Sequence, residues 1–234
     1  MKKYIFLAIS NIFIFLILPI TRLISKKLYE KYVLPKILSF TCNTKHINYQ
    51  RKKIIPSATG LVVELGVGAG ANFKYYNPEK ILKVTAIDPS AELNNLAREE
   101  AKKYNYEIQI LNQSAETIPL EDNSIDTVVS TYTLCSIPNP DETMREVFRV
   151  LKPNGVFLFS EHGRSPDRFT AFIQDQIEFF YPFISGGCHC NRGIKKIISN
   201  YAKSVIDKHY NNNVDRKSTR LNSSHVRTSR MPSS

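Results

Sequence analysis

Three glycines and one carboxylate stand at the ends of two short apolar runs, where a bound ligand could meet them. The glycines occupy alternate positions after the first run: Gly66, Gly68 and Gly70. Glycine permits a tight turn that brings backbone N–H groups close to a ligand. Asp88 ends the next run, where a carboxylate can accept hydrogen bonds from both hydroxyls of a ribose. The pattern predicts a nucleoside site, although Asp88 could instead cap a helix that begins near Ser90.

The elements that must position these residues alternate between strands and helices. Helical candidates lie between the strand candidates, and this rhythm predicts an α/β fold with a parallel sheet and helices on both faces. In such sheets ligands bind beyond the carboxyl ends of the strands. The predicted strands are Leu61–Leu65, Lys83–Ile87, Glu107–Asn112, Thr127–Thr131 and Val156–Glu161. The predicted helices are Phe73–Tyr76, Ser90–Tyr104, Asp141–Leu151 and Ile194–Tyr201.

Two longer motifs follow the third and fourth strands. Residues 114–126 read Ser-Ala-Glu-Thr-Ile-Pro-Leu-Glu-Asp-Asn-Ser-Ile-Asp, and residues 144–155 read Met-Arg-Glu-Val-Phe-Arg-Val-Leu-Lys-Pro-Asn-Gly. The second motif describes a helix that is ended by proline and glycine before another strand. Together with Glu64 before the first glycine, these motifs resemble the class I methyltransferases that use S-adenosylmethionine (SAM).

The resemblance implies a Rossmann-like sheet, SAM as cofactor and a set of cofactor-binding residues. The implied residues are Glu64, Gly66, Gly68, Gly70, Asp88, Ser114, Ala115, Glu116 and Thr131. Ser114 departs from the family pattern, which has an acidic residue there to hold adenine. The spacing of the glycines differs from the G-x-G-x-x-G of dinucleotide folds, which makes a nicotinamide-dependent oxidoreductase the weaker alternative.

Further residues narrow the resemblance to the membrane-anchored, thiol-methylating methyltransferase-like proteins of animals and their bacterial relatives. The run Thr131–Ser136, the strand end Glu161-His162 and the segment Gly186–Arg192 carry this likeness. Glu161 and His162 are the predicted catalytic residues, since a base at a strand tip could remove a proton from the acceptor. Either residue could instead cap the following loop or hold another side chain. Cys188-His189-Cys190 lacks the paired C-x-x-C spacing of zinc sites, so no metal is predicted.

The N-terminal residues predict attachment to a membrane. Tyr4–Ile20 is almost wholly apolar and is flanked by lysine and arginine, which suits an anchor or an interfacial segment; a cleaved signal peptide and a buried helix are the alternatives. The distribution of charge along the chain supports attachment of the N-terminal part to a membrane, because residues 1–60 carry a net charge of +10 and residues 61–214 a net charge of −3. A basic stripe for nucleic acid is therefore not expected in the catalytic part. The predicted location is a membrane surface, with the catalytic domain facing the cytosol.

Four segments are predicted along the chain. Residues 1–27 form the hydrophobic anchor, residues 28–57 an amphipathic helical lead-in in which Pro35 predicts a kink, and residues 58–214 the methyltransferase domain. Residues 215–234 resemble the translation of a sequencing adapter and are expected to pack against nothing. Ser204–Tyr210 predicts one short strand, after which the final strand of the sheet is expected to be missing.

The resulting expectation is methyl transfer from SAM to a small, lipophilic acceptor, with a thiol as one candidate. The alternatives are a membrane-lipid or quinone methyltransferase, and an inactive, membrane-tethered protein that binds SAM. The sequence leaves the oligomeric state and the identity of the acceptor open.

Overall fold

The computed structural model of the chain describes residues 25–201, and its centre is one parallel sheet. The strands are β1 Gly60–Leu65, β2 Ile81–Asp88, β3 Ile108–Asn112, β4 Ile125–Thr131 and β5 Leu151–Ser160. Their order in the sheet is β3-β2-β1-β4-β5, and every neighbouring pair is parallel. The prediction of an α/β, Rossmann-like sheet is therefore confirmed.

Successive residues of the central strands enter different hydrophobic cores on the two faces of the sheet. Val62 belongs to one core and Val63 to the other, and Val128 and Val129 divide in the same way. This follows from the two-residue period of a strand, which points neighbouring side chains to opposite faces. A strand buried on both faces reads as a continuous apolar run, as Leu61–Leu65 does apart from Glu64.

Helices cover both faces. Ala97 in the helix Ala91–Ala101 (α4) joins the core that contains Val62, and Met144 in the helix Pro140–Val150 (α5) joins the core that contains Val63. Ser90 caps α4 and Asn139 caps α5, each by accepting a backbone N–H bond. The helices are α1 Lys26–Leu28, α2 Leu34–Thr41, α3 Lys45–Ile54, α4 Ala91–Ala101, α5 Pro140–Val150, α6 Arg168–Ile177, α7 Tyr181–Ile184 and α8, which includes residues 194–201. Short 3₁₀ turns occupy Ile55–Ser57 and Phe73–Tyr75.

The helical lead-in contains a π-helical turn. Tyr29–Val33 is π-helical and joins α1 to α2, and Pro35 is the second residue of α2. Proline lacks an N–H and its ring clashes with the preceding helical turn, which is why a kink was expected at Pro35. The wider π-helical turn before Pro35 relieves this clash. The hydroxyl of Tyr29, which is 1% exposed, donates to the carbonyl of Ile184 at 2.5 Å and fastens the lead-in to α7.

Several predictions fall outside residues 25–201. They are the apolar segment Tyr4–Ile20, the short strand Ser204–Tyr210 and the adapter-like residues 215–234. Among the helices between residues 25 and 201, none is long and apolar enough to cross a bilayer.

The sheet brings the predicted site residues to one edge. The strand order reverses between β1 and β4, which lie side by side at the centre. A crevice opens at such a switch point beyond the carboxyl ends of the strands. The loops that follow β1, β2, β3 and β4 all meet there.

Candidate cofactor and acceptor site

The glycine loop after β1 presents bare backbone to a cavity of about 610 Å³. Gly66 and Gly68 line this cavity, with φ angles of 63° and 54° that favour glycine. A Cβ at Gly66 would lie 2.2 Å from Thr133 Cγ2, whereas a Cβ at Gly68 would meet nothing within 4 Å. Gly66 is therefore packed against Thr133, whereas the space beside Gly68 is free for a ligand that contacts the backbone. Gly70 is not among the lining residues.

Asp88 faces the same cavity from the end of β2. Its Oδ2 accepts from Gly68 N at 3.0 Å and its Oδ1 from Ser90 N at 2.9 Å. Burial raises the pKa of this carboxyl. Each carboxylate oxygen has a further lone pair, so the side chain can still accept bonds from two ribose hydroxyls. The helix-cap alternative is wrong for Asp88, because Ser90 Oγ caps α4 by accepting from Leu93 N at 3.3 Å.

The loop after β3 contributes Ser114 and Ala115 to the cavity wall. The hydroxyl of Ser114 donates to Glu116 Oε2 at 2.9 Å. Glu116 Oε1 accepts from the backbone N–H of Asn139 at 2.6 Å. Glu116 does not line the cavity and instead holds the Ser114 hydroxyl and the start of α5 in place.

Glu64 lies in a buried network behind the loop and not on the cavity wall. It is 1% exposed, and its two oxygens accept from Asn72 Nδ2 at 3.0 Å and Tyr76 OH at 2.8 Å. Asn72 Nδ2 also donates to Thr131 Oγ1 at 3.0 Å, and Thr131 does line the cavity. Burial raises the pKa of Glu64 to about 7. The carboxyl therefore links the glycine loop to the end of β4 through hydrogen bonds.

Glu161 and His162 come together at the end of β5, but neither lines the cavity. Glu161 accepts from Ser130 Oγ at 2.7 Å and from Thr133 N at 3.0 Å, and burial raises its pKa. Its carboxylate is thus occupied in holding the loop after β4. His162 Nε2 lies 3.1 Å from Cys188 Sγ. The structure shows no contact of either side chain with the cavity, and their catalytic role stays a prediction.

The far end of the cavity, meaning the part lined by α2, α3 and residues 137–138, is formed by residues that the sequence did not assign to a site. Leu34, Pro35 and Leu38 of α2 line the cavity together with Ile137 and Pro138, and these five side chains form an apolar wall. Arg51 of α3 also lines this end. It stands in the basic run Arg51-Lys52-Lys53, which resembles a solvated helix face, so only tertiary packing reveals that Arg51 is 5% exposed.

The residues at the near end fit SAM. A cavity of about 610 Å³ lies within the usual range of about 300–1,000 Å³ for cofactor sites. The open space in front of Gly68 lets the cofactor approach the backbone closely. The carboxylate of Asp88 suits the ribose, and the oriented hydroxyl of Ser114 suits the adenine. Six of the nine predicted cofactor-binding residues line the cavity: Gly66, Gly68, Asp88, Ser114, Ala115 and Thr131.

Comparisons with known proteins agree with this geometry. A family model described as "Methyltransferase domain" matches residues 63–159. The chain is 34% identical to human thiol S-methyltransferase TMT1B over 164 residues, which cover 68% of this chain and 66% of that protein. Against rat TMT1B it is 37% identical over 135 residues, which cover 56% of this chain and 54% of that protein. The chain thus spans between about half and two thirds of the length of these relatives.

The fold is also found among solved structures. A SAM-dependent methyltransferase from Thermotoga maritima superposes with a TM-score of 0.52 at 20% identity, covering 75% of this chain and 79% of that one. Such an identity supports the fold alone. The matched methyltransferase domain, the strand order and the glycine loop together with Asp88 place this chain in the family of class I methyltransferases that use SAM.

Proposed function

We propose that the chain transfers a methyl group from SAM to a small, lipophilic thiol. The bound cofactor would supply a methyl group already activated on a sulfonium. What the chain must add is alignment of the acceptor, exclusion of water and stabilisation of the nucleophilic form of the acceptor. The relatives named thiol S-methyltransferase support a sulfur acceptor, and the far end of the cavity supports each of the three tasks.

The buried guanidinium of Arg51 is the observation that carries the thiol proposal. One of its nitrogens donates to the carbonyl of Cys42, and the guanidinium carbon lies 5.6 Å from the centre of the Tyr132 ring. Its Nε is buried without a hydrogen-bond partner, and within residues 25–201 the carboxyl of Glu64 interacts with Arg51 electrostatically but without a direct ion pair. A buried cation that has no carboxylate in direct contact favours an anion beside it. A thiolate acceptor would provide that charge.

The apolar wall supports a lipophilic acceptor. Leu34 and Leu38 from α2 face the cavity together with Ile137 and Pro138 from the loop after β4. Apolar side chains at this position exclude water and favour binding of an alkyl or aryl group by burial of its surface. A charged, hydrophilic thiol would gain less from this wall.

We also propose that the N-terminal segment holds the enzyme on a membrane with the catalytic domain in the cytosol. The apolar run Tyr4–Ile20 with flanking lysines supports this proposal. Exposed apolar side chains on the described part agree with it. They include Leu28, Tyr32, Phe169, Phe172 and Phe179, of which Phe179 is 95% exposed.

The acceptor class can be tested with the full chain and methyl-labelled SAM. The panel should contain alkyl thiols, phenols, quinones and phosphatidylethanolamine vesicles. We expect label transfer to the lipophilic thiols, at higher rates than to hydrophilic thiols of similar acidity. Transfer only to quinones or lipid would contradict the thiol proposal and favour the corresponding alternative, and SAM binding without transfer to any acceptor would indicate an inactive protein.

The role of Arg51 predicts a shift in pH dependence. In Arg51→Gln the acceptor thiol loses a nearby positive charge, which raises the pKa of the thiol. We therefore expect the rate profile to move to higher pH, with about tenfold slower transfer at neutral pH for each unit of that shift. Lys53→Gln on the same helix is the control, because Lys53 is exposed beside Tyr49. An unchanged profile with weakened SAM binding would instead assign Arg51 to the cofactor's carboxylate.

A further inference from the structure

Three side chains that commonly bind metal ions lie close together beside the far end of the cavity. Cys135 follows β4, His162 follows β5, and Cys188 lies in the segment before α8. Their ligand atoms all lie within 4.8 Å of one another. Cys135 is 1% exposed and Cys188 is 6% exposed, so the cluster is enclosed. Segments distant in the sequence thus place two thiols and an imidazole around one point.

The spacing of these atoms fits a tetrahedral zinc ion. Zinc binds cysteine sulfur at about 2.3 Å and histidine nitrogen at about 2.0–2.1 Å, which separates neighbouring ligand atoms by roughly 3.5–3.8 Å. His162 Nε2 is already 3.1 Å from Cys188 Sγ. Small side-chain adjustments would therefore admit an ion between them.

Hydrogen bonds in the cluster run mainly among its own three side chains. His162 Nδ1 is buried and has no partner among the described residues. Besides its neighbours in the cluster, Cys135 Sγ has only a 3.7 Å contact with Tyr132 O and a 3.5 Å contact with Ser136 Oγ. Nε2 faces Cys188 Sγ, so Nε2 is the ring nitrogen that would bind an ion, and the proton of the neutral ring would then lie on Nδ1.

The neighbours of Cys188 explain why sequence spacing did not reveal the cluster. His189 Nδ1 contacts Glu178 Oε1, and Cys190 Sγ lies 3.9 Å from Glu178 Oε2. Both side chains of this pair therefore turn to Glu178, away from the cluster. Only Cys188 of the Cys-His-Cys run joins Cys135 and His162.

We propose that Cys135, His162 and Cys188 bind one divalent ion of the zinc class, with water or another donor at the fourth position. Two thiolates and a neutral imidazole would offset both charges of the ion, which a buried site requires. Sulfur and imidazole ligands also favour zinc over magnesium or calcium. The ion would fix the loop after β4 against the segment before α8, and Ser136 and Gly186 from these two segments line the cavity.

The metal content of the purified full chain tests this site without any assay of methyl transfer. After incubation with zinc and exhaustive dialysis, elemental analysis should find one zinc per chain. Cobalt(II) in its place should give the absorption of thiolate-to-metal charge transfer. Cys135→Ser and Cys188→Ser should each lose the ion, whereas Cys190→Ser should retain it. SAM binding serves as the measure of folding for all three variants.

Alkylation of the unsubstituted chain gives a second readout that does not depend on variants folding. In denaturant just below the unfolding transition, where buried thiols become accessible, zinc should slow the alkylation of Cys135 and Cys188 by a maleimide, a chelator should restore the faster rate, and the chelator should also lower the thermal midpoint. A chain that keeps no zinc after dialysis, alkylation that the chelator leaves unchanged, or a Cys135–Cys188 disulfide in the unreduced protein would overturn the proposal.

Discussion

Replacing Asp88 by asparagine is expected to weaken SAM binding about ten- to a hundredfold. The carboxylate would accept hydrogen bonds from the ribose hydroxyls. Hydrogen bonds to a charged group contribute about 1.5–3 kcal/mol to the free energy of binding. Asparagine keeps one oxygen acceptor, so the bond from Gly68 N at 3.0 Å and the shape of the loop can persist. The measurement is calorimetric titration of the full chain with SAM.

A matched substitution controls for charge. Asp122→Asn removes an exposed carboxylate that pairs with Arg149 at 2.7 Å, remote from the cavity lining. It should leave SAM affinity unchanged. Equal affinities for Asp88→Asn and the unsubstituted chain, with both proteins folded, would reject the ribose role of Asp88.

Glu64 is expected to make the stability of the ligand-free chain depend on pH. Its folded pKa of about 7 lies above the ordinary value of 4.5, so folding favours the protonated carboxyl. The contribution of this protonated carboxyl to the free energy of unfolding is fully present below about pH 4.5 and is lost as the pH rises through 7. The shift corresponds to about 3 kcal/mol between these limits.

Glu64→Gln should remove this dependence. The amide resembles the protonated carboxyl and can still accept from Asn72 while it donates to the hydroxyl oxygen of Tyr76. Denaturant unfolding from pH 5 to pH 8 should show the variant gaining up to about 3 kcal/mol relative to the unsubstituted chain. Glu107→Gln, at an exposed carboxylate paired with Lys83, is the control. A constant difference between Glu64→Gln and the unsubstituted chain across this range would show that Glu64 is ionised throughout.

Much of the fold was predictable because local pattern and tertiary structure agree. The strands of this sheet are buried on both faces, so they read as short apolar runs, and Leu61–Leu65 was predicted within one residue of β1 Gly60–Leu65. The strand predicted at Val156–Glu161 begins at Leu151 in the structure. Pro153 and Gly155 indicated a turn there, but the pairing of Ile125 with Leu151 extends β5 through them.

The cavity was predictable in part, for a related reason. Glycines at alternate positions and an acidic strand end reveal their backbone requirements locally, so Gly66, Gly68 and Asp88 could be placed beforehand. Partners of buried carboxylates depend on packing between distant segments. The sequence therefore could not show that Glu64 bonds Tyr76, nor that Glu161 holds the backbone of Thr133.

Local sequence patterns could not predict two features of the structure, the buried Arg51 and the Cys135–His162–Cys188 cluster. Arg51 is one of several basic residues in α3, and burial of this one side chain follows from how α3 packs beside the sheet. The cluster unites residues 27 and 26 positions apart in the chain, because the loops after β4 and β5 meet at the same edge of the sheet. Neither feature has a spacing rule that would find it.

Calorimetric titration of the unsubstituted full chain, with SAM and with NADH in separate experiments, tests the central claim most directly. The glycine loop, Asp88 and Ser114 form the near end of a single cavity of about 610 Å³. We expect saturable binding of SAM and no binding of NADH. Binding of NADH without binding of SAM would contradict the account.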